Sequence, residues 1–186
     1  MAERVSLAKR RPRLEGVFGP LTEEVDASLR VIFERVDATL RALATHHGTS
    51  GASLERTGLE LTLFPSGQLE ISSDVGASDG LGNIVAFMVE LRPTWFYGVG
   101  SDKAGWDVEA SIDADCRHTN DHGGMDPVFR GEVIRATDPE AAARALLGAA
   151  EELRRLGTTK PLSFWLDRAR DAPDDHQRPT DAESKT

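Results

Sequence analysis

One cysteine, one tyrosine and the lack of any long apolar run set the first limits. Cys116 has no second cysteine to pair with, so no intrachain disulfide can staple the fold, which fits a reducing compartment. Nowhere do about 18 apolar residues follow one another, as a membrane-spanning helix requires. The opening MAERVSLAKRRPRLEGVFG also lacks the apolar core of about 7 to 15 residues found in a secretory signal. The expectation is a cytoplasmic protein that does not enter a membrane.

Positive charge is scarce as well: 22 Lys and Arg stand against 31 Asp and Glu, a net charge of -9. Such a surface repels nucleic acid phosphates and anionic headgroups and favours basic partners or cations. The exception is the start, where Arg4, Lys9, Arg10, Arg11 and Arg13 outnumber Glu3 and Glu15. No repeat recurs at a period of about 20 to 50 residues. The glycines of GASDGLG (76–82) read as a flexible loop, because no helix start follows to aim backbone amides at a phosphate.

What is present is one domain's worth of chain: 186 residues, 39% hydrophobic and 28% charged, in keeping with a single soluble core. Residues 1–19 read as a basic, flexible arm. Residues 20–170 form the domain. The polar end DAPDDHQRPTDAESKT, 171–186, reads as a disordered acidic tail that cannot repay its ordering entropy.

Within the domain the hydrophobic period changes twice. Leu21, Val25, Leu29, Ile32, Val36, Leu40 and Leu43 recur at spacings of three and four, with Phe33 widening the stripe. They predict an amphipathic helix from Thr22 to near Gly48 that covers a sheet, or serves as a homodimer seam. The period then becomes two. Leu59, Leu61 and Leu63 pair with Leu69, Ile71 and Val75 across a Pro65-Ser66-Gly67 turn. NIVAFMVEL (83–91) is apolar on both sides, as a central strand is. WDVEASIDADC (106–116) alternates throughout, and PVFRGEVIRAT is a further strand with Gly131 as a candidate bulge. Thr137 and Glu140 match a capping box that opens a second helix, closed by Gly157, and KPLSFWLDRARD docks Leu162, Trp165 and Leu166. The expected fold is α+β: a five- or six-stranded, mainly antiparallel sheet flanked by an N-terminal and a C-terminal amphipathic helix.

The densest set of reactive groups is DADCRHTNDHGGMD, 113–126. Strand parity sends Cys116 inward with Trp106, Val108 and Ile112, as a small buried hydrophobe. As a nucleophile it would need a base in reach, yet His118 stands roughly 6.6 to 6.8 Å further along a strand. A metal site would draw on His118, His122 and Asp121, but Cys-x-His-x3-His matches neither a zinc finger nor His-Glu-x-x-His. An EF-hand loop fails at Arg117, His118 and Gly124. Asp113 and Asp115 share a face at a separation near the lower edge of an inverting glycosidase pair, a spacing common to acidic strands.

Asp107, Glu109, Asp113 and Asp115 then form an acidic stripe on the strand's second face. Mutual repulsion along it would be relieved by a partner carrying Lys or Arg. Trp95, Phe96 and Tyr97 supply a second recognition patch. The expected function is a non-catalytic acidic module, an immunity-protein-like inhibitor or dedicated chaperone, docking a basic protein through Asp107, Glu109, Asp113, Asp115, Trp95 and Tyr97 without a cofactor. The alternatives are a metal-dependent hydrolase using the Asp113 to Asp126 cluster and a structural homo-oligomer with the first helix as its seam.

Overall fold

The computed structural model describes residues 3–6, 14–49, 53–56, 59–63, 69–94, 105–115 and 125–170. In chain order the elements are β1 (Glu3–Ser6), α1 (Glu15–Phe18), α2 (Glu23–Thr49), β2 (Ser53–Arg56), β3 (Glu60–Leu63), β4 (Leu69–Ser78), β5 (Ile84–Pro93), β6 (Trp106–Asp115), β7 (Met125–Arg130), β8 (Ile134–Ala136), α3 (Pro139–Thr159) and α4 (Leu162–Arg170). The α+β class is as expected. Among the described residues the strands number eight, all in one antiparallel sheet of order β1-β3-β4-β5-β6-β7, with β2 also on β4 and β8 also on β6.

β1 and β2 are additional to the expected strands, and the expected PVFRGEVIRAT strand divides into β7 and β8. β3 pairs with residues 69–72 of β4, and β2 with residues 76–78 of the same strand. On the far side, β7 runs along Ser111 to Asp115 of β6, while β8 runs along Trp106 to Val108. Between them the Gly131 N–H donates to Ala110 O at 2.8 Å, and a Cβ at Gly131 would sit 3.1 Å from that oxygen. Glycine is therefore what lets the edge break without losing the hydrogen bond.

β5 lies at the centre, between β4 and β6. Its alternation buries Val85, Phe87, Val89 and Leu91 in the core, beside Val108, Ala110, Ile112 and Ala114 of β6. α2, α3 and α4 cover this side, and no described helix covers the other, the usual division in an antiparallel sheet. The expected α2 stripe is consumed here: Leu29, Phe33, Val36, Leu40 and Leu43 are all buried in the core. The stripe thus covers the sheet, the first of the two roles its pattern allowed.

Described residues near the start of the chain also join the sheet and core. β1 pairs with β3, and Leu14, Val17 and Phe18 belong to the core. Trp106 Nε1 donates to Val17 O at 3.0 Å, and its ring lies 5.3 Å from Phe18, which in turn stacks on Phe33. Leu14 to Phe18 thus dock as one apolar plug against α2 and β6.

Three local expectations shift. The N-cap of α3 is Asp138, whose Oδ1 accepts from Ala141 N at 2.8 Å with Pro139 just inside the helix, one residue beyond Thr137. α3 runs through Gly157 to Thr159 instead of ending there. Gly76 to Ser78 remain strand, so the β4–β5 loop is only residues 79–83. Its Asp79 carboxylate accepts from Leu81 N, Asn83 N and Asn83 Nδ2, while Gly80 and Gly82 take φ of 79° and 94°, values that glycine alone adopts freely.

Candidate binding face

The alternation of β6 places Asp107, Glu109, Asp113 and Asp115 on the side that the described helices leave uncovered, as the sequence pattern requires. What the stripe faces there decides its chemistry. Arg135 of β8 lies opposite Asp107 and bonds it twice, at 2.8 and 3.1 Å. Arg92 of β5 reaches Glu109 at 3.0 Å and also holds Glu90. Arg130 of β7 comes within 3.4 Å of Asp113. The Asp115 carboxylate accepts from the Ile84 N–H at 2.6 Å, which ties the end of β6 to the start of β5. The chain thus supplies three guanidinium groups and a backbone amide to its own stripe, and much of the repulsion expected to need a partner is relieved internally.

The relief is uneven. Glu90 lies directly across from Glu109 in the β5–β6 register, and Ser72, opposite Glu90 on β4, is two residues from Glu70. Three carboxylates from three neighbouring strands therefore crowd Arg92. Burial, and then the charge of Glu70, push the Glu90 carboxyl above its ordinary value; Arg92 pulls it back, and Glu109 pushes it up again. Asp113 is likewise raised, first by burial, with Arg130 opposing and Glu109 and Asp126 adding to the rise. Burial is the larger cause at both carboxyls, and at Glu90 the repulsion of Glu70 adds to it ahead of the opposing Arg92.

Of the predicted site residues, Asp107, Glu109, Asp113 and Asp115 are brought onto one face. Cys116, His118, Asp121, His122 and the patch Trp95 to Tyr97 lie outside the described residues. Among the described residues no three His, Cys, Asp or Glu groups could hold a metal ion, and no helix is long and apolar enough to cross a membrane. Sequence reasoning missed Glu70, Glu90, Arg92, Arg130 and Arg135. Glu90 and Arg92 could have been found, since their two-residue spacing puts both on one face of a strand otherwise read as apolar throughout.

No family model, curated protein or solved structure matches this chain.

Proposed function

We propose that this protein is a non-catalytic binding module that receives a basic protein on the face of its sheet that the described helices leave open. The observation that carries the reading is the row Glu70, Glu90 and Glu109 around Arg92, where the Glu90 carboxyl is raised by burial first and by the charge of Glu70 second, a repulsion that a further cation would offset. An arginine from a partner suits the row best, because a planar guanidinium can bridge two carboxylates and gives up its water more readily than an ammonium group. Asp107 and Asp115 serve chiefly as internal ties, so the centre of the proposed contact moves from the ends of β6 to its crossing with β5. An immunity-type inhibitor and a dedicated chaperone would both use such a face, and each would hold its partner without chemistry.

The test is a binding titration of the full chain with a hexa-arginine peptide and its hexa-lysine counterpart. Tighter binding of the arginine peptide, weakened by salt and lost in Glu90→Gln/Glu109→Gln, supports the reading; exposed charge pairs are screened over about 8 to 10 Å at physiological ionic strength. Equal binding by the double variant overturns it. Metal analysis of the untagged protein addresses the hydrolase alternative directly, because a stoichiometric ion lost in His118→Ala would transfer the function to the Asp113 to Asp126 segment.

A further inference from the structure

His47 and Trp165 approach the same ring from different elements, on the opposite side of the sheet from the carboxylates. His47, in the last turn of α2, stacks on Phe87 of β5 with centroids 5.1 Å apart and planes 18° apart. Trp165 of α4 meets Phe87 edge-on at 6.5 Å. His47 is 2% exposed and Trp165 3%. His47 Nε2 and Trp165 Nε1 are both buried without a hydrogen-bond partner among the described residues.

The chemistry of the two nitrogens differs. The indole nitrogen only donates, whereas a neutral imidazole keeps one nitrogen as an acceptor and becomes a double donor when protonated. A proton arriving at Nε2 would thus create a buried cation stacked on the Phe87 ring, the ring that Trp165 of α4 meets edge-on. A buried charge without a paired acceptor is among the costliest arrangements a fold can hold.

Among the described residues, no acidic group around the ring offsets that charge. On its own helix His46 lies 5.3 Å away. β5 presents Phe87, which α3 approaches through Gly157, a residue without a side chain. α4 presents Trp165, whose neighbour Phe164 sits under Lys160 at 4.8 Å and Arg168 at 5.9 Å. Every titratable group named there is basic. Burial first, and His46 second, hold the imidazole down at about 4, from an ordinary 6.5.

We propose that protonation of His47 releases α4 from the sheet, so that the His47, Phe87 and Trp165 stack is an acid-sensitive latch which, on opening, exposes an apolar helix face. α4 is the element that gives way. It has nine residues and is held by Trp165, Leu166 and Ala169, and a helix shorter than about 12 residues has little stability once its packing is lost. α3, at 21 residues, buries a far longer stripe and stays docked.

Hydrogen exchange of the full chain, corrected for the intrinsic effect of pH on exchange, tests this. As pH falls from 6.5 to about 4, amides of α4 should lose protection at least about tenfold relative to α3, the signature of a local opening. In His47→Phe that loss should disappear. The same loss in His47→Phe, or parallel loss in α3 and α4, overturns the latch. Should His47→Phe fail to fold, the histidine signals of the unmodified protein decide. A ring titrating near 4 together with α4 resonances supports the latch, and a ring titrating at 6.5 while α4 is unmoved refutes it.

Discussion

Gly157 of α3 stands so close to Leu43 of α2 that a Cβ there would come within 2.6 Å of Leu43 Cδ1, and within 3.0 Å of Phe87 Cε1. The two helices and β5 touch through the hydrogen of a glycine, which explains why a residue usually found at helix ends persists inside one. Adding a methyl group forces Leu43 or the Phe87 ring to move, and overpacking of this kind costs about 1–3 kcal/mol. The ordinary helix gain of alanine over glycine, about 1 kcal/mol, offsets part of that. Gly157→Ala is therefore expected to lower stability by a net of about 1 kcal/mol in urea denaturation, whereas Gly148→Ala, whose Cβ would meet nothing within 4 Å, should raise it by a similar amount.

The start of α3 gives a second test. Asp138 accepts the Ala141 N–H, so Asp138→Ala should cost about 1 kcal/mol, the usual loss when a capping side chain is removed. Thr137→Ala should change stability by less than about 0.5 kcal/mol, as at an ordinary surface position. A larger loss at Thr137 than at Asp138 in thermal melts would restore the capping box suggested by the sequence pattern.

That one-residue slip shows which features the sequence can and cannot reveal. Thr137 and Asp138 are both good caps and adjacent, so composition cannot choose between them, whereas the hydrogen bond can. The face of each β6 residue was legible because alternation is local and strict from Trp106 to Asp115. The partners of that face were not, since Arg92 is 17 residues from Glu109 and Arg135 is 28 from Asp107. Long-range register brings them together, and register depends on pairing between segments distant in sequence. α2 was legible for its stripe but not for its purpose, because an apolar face looks the same whether it meets a sheet or a second helix.

Arg92 is the side chain whose loss should matter most on the polar face. Its side chain is only 13% exposed and contacts both Glu90 and Glu109. Arg92→Met leaves those two carboxylates opposed across the β5–β6 pair with no contact cation among the described residues. The loss should be about 2 kcal/mol at neutral pH, below the roughly 3–5 kcal/mol typical of a fully buried broken pair because both glutamates reach water. It should shrink as pH falls through the carboxylate range, since protonation removes the repulsion. Denaturant midpoints of wild type and variant at several pH values measure both effects.

Glu70 supplies the last prediction, in the opposite direction. The Glu90 carboxyl is raised above its ordinary 4.5 in the folded chain, first by burial and then by Glu70. The folded state therefore binds that proton more tightly than the unfolded state, and stability falls as pH rises from 4.5 through the raised value. At neutral pH the fold carries the cost of an ionised Glu90 beside Glu70. Removing the second charge in Glu70→Gln should stabilise the protein by about 0.5 kcal/mol at neutral pH, the scale of a like-charge cross-strand pair. The gain should fade as pH falls through the raised Glu90 value toward 4.5, because protonation of Glu90 removes the repulsion. The same substitution should weaken capture of the hexa-arginine peptide, because the repulsion that costs stability is also what attracts the partner. A variant that gains stability and binds the peptide as well as wild type would separate the two effects and place the docking centre elsewhere on the sheet.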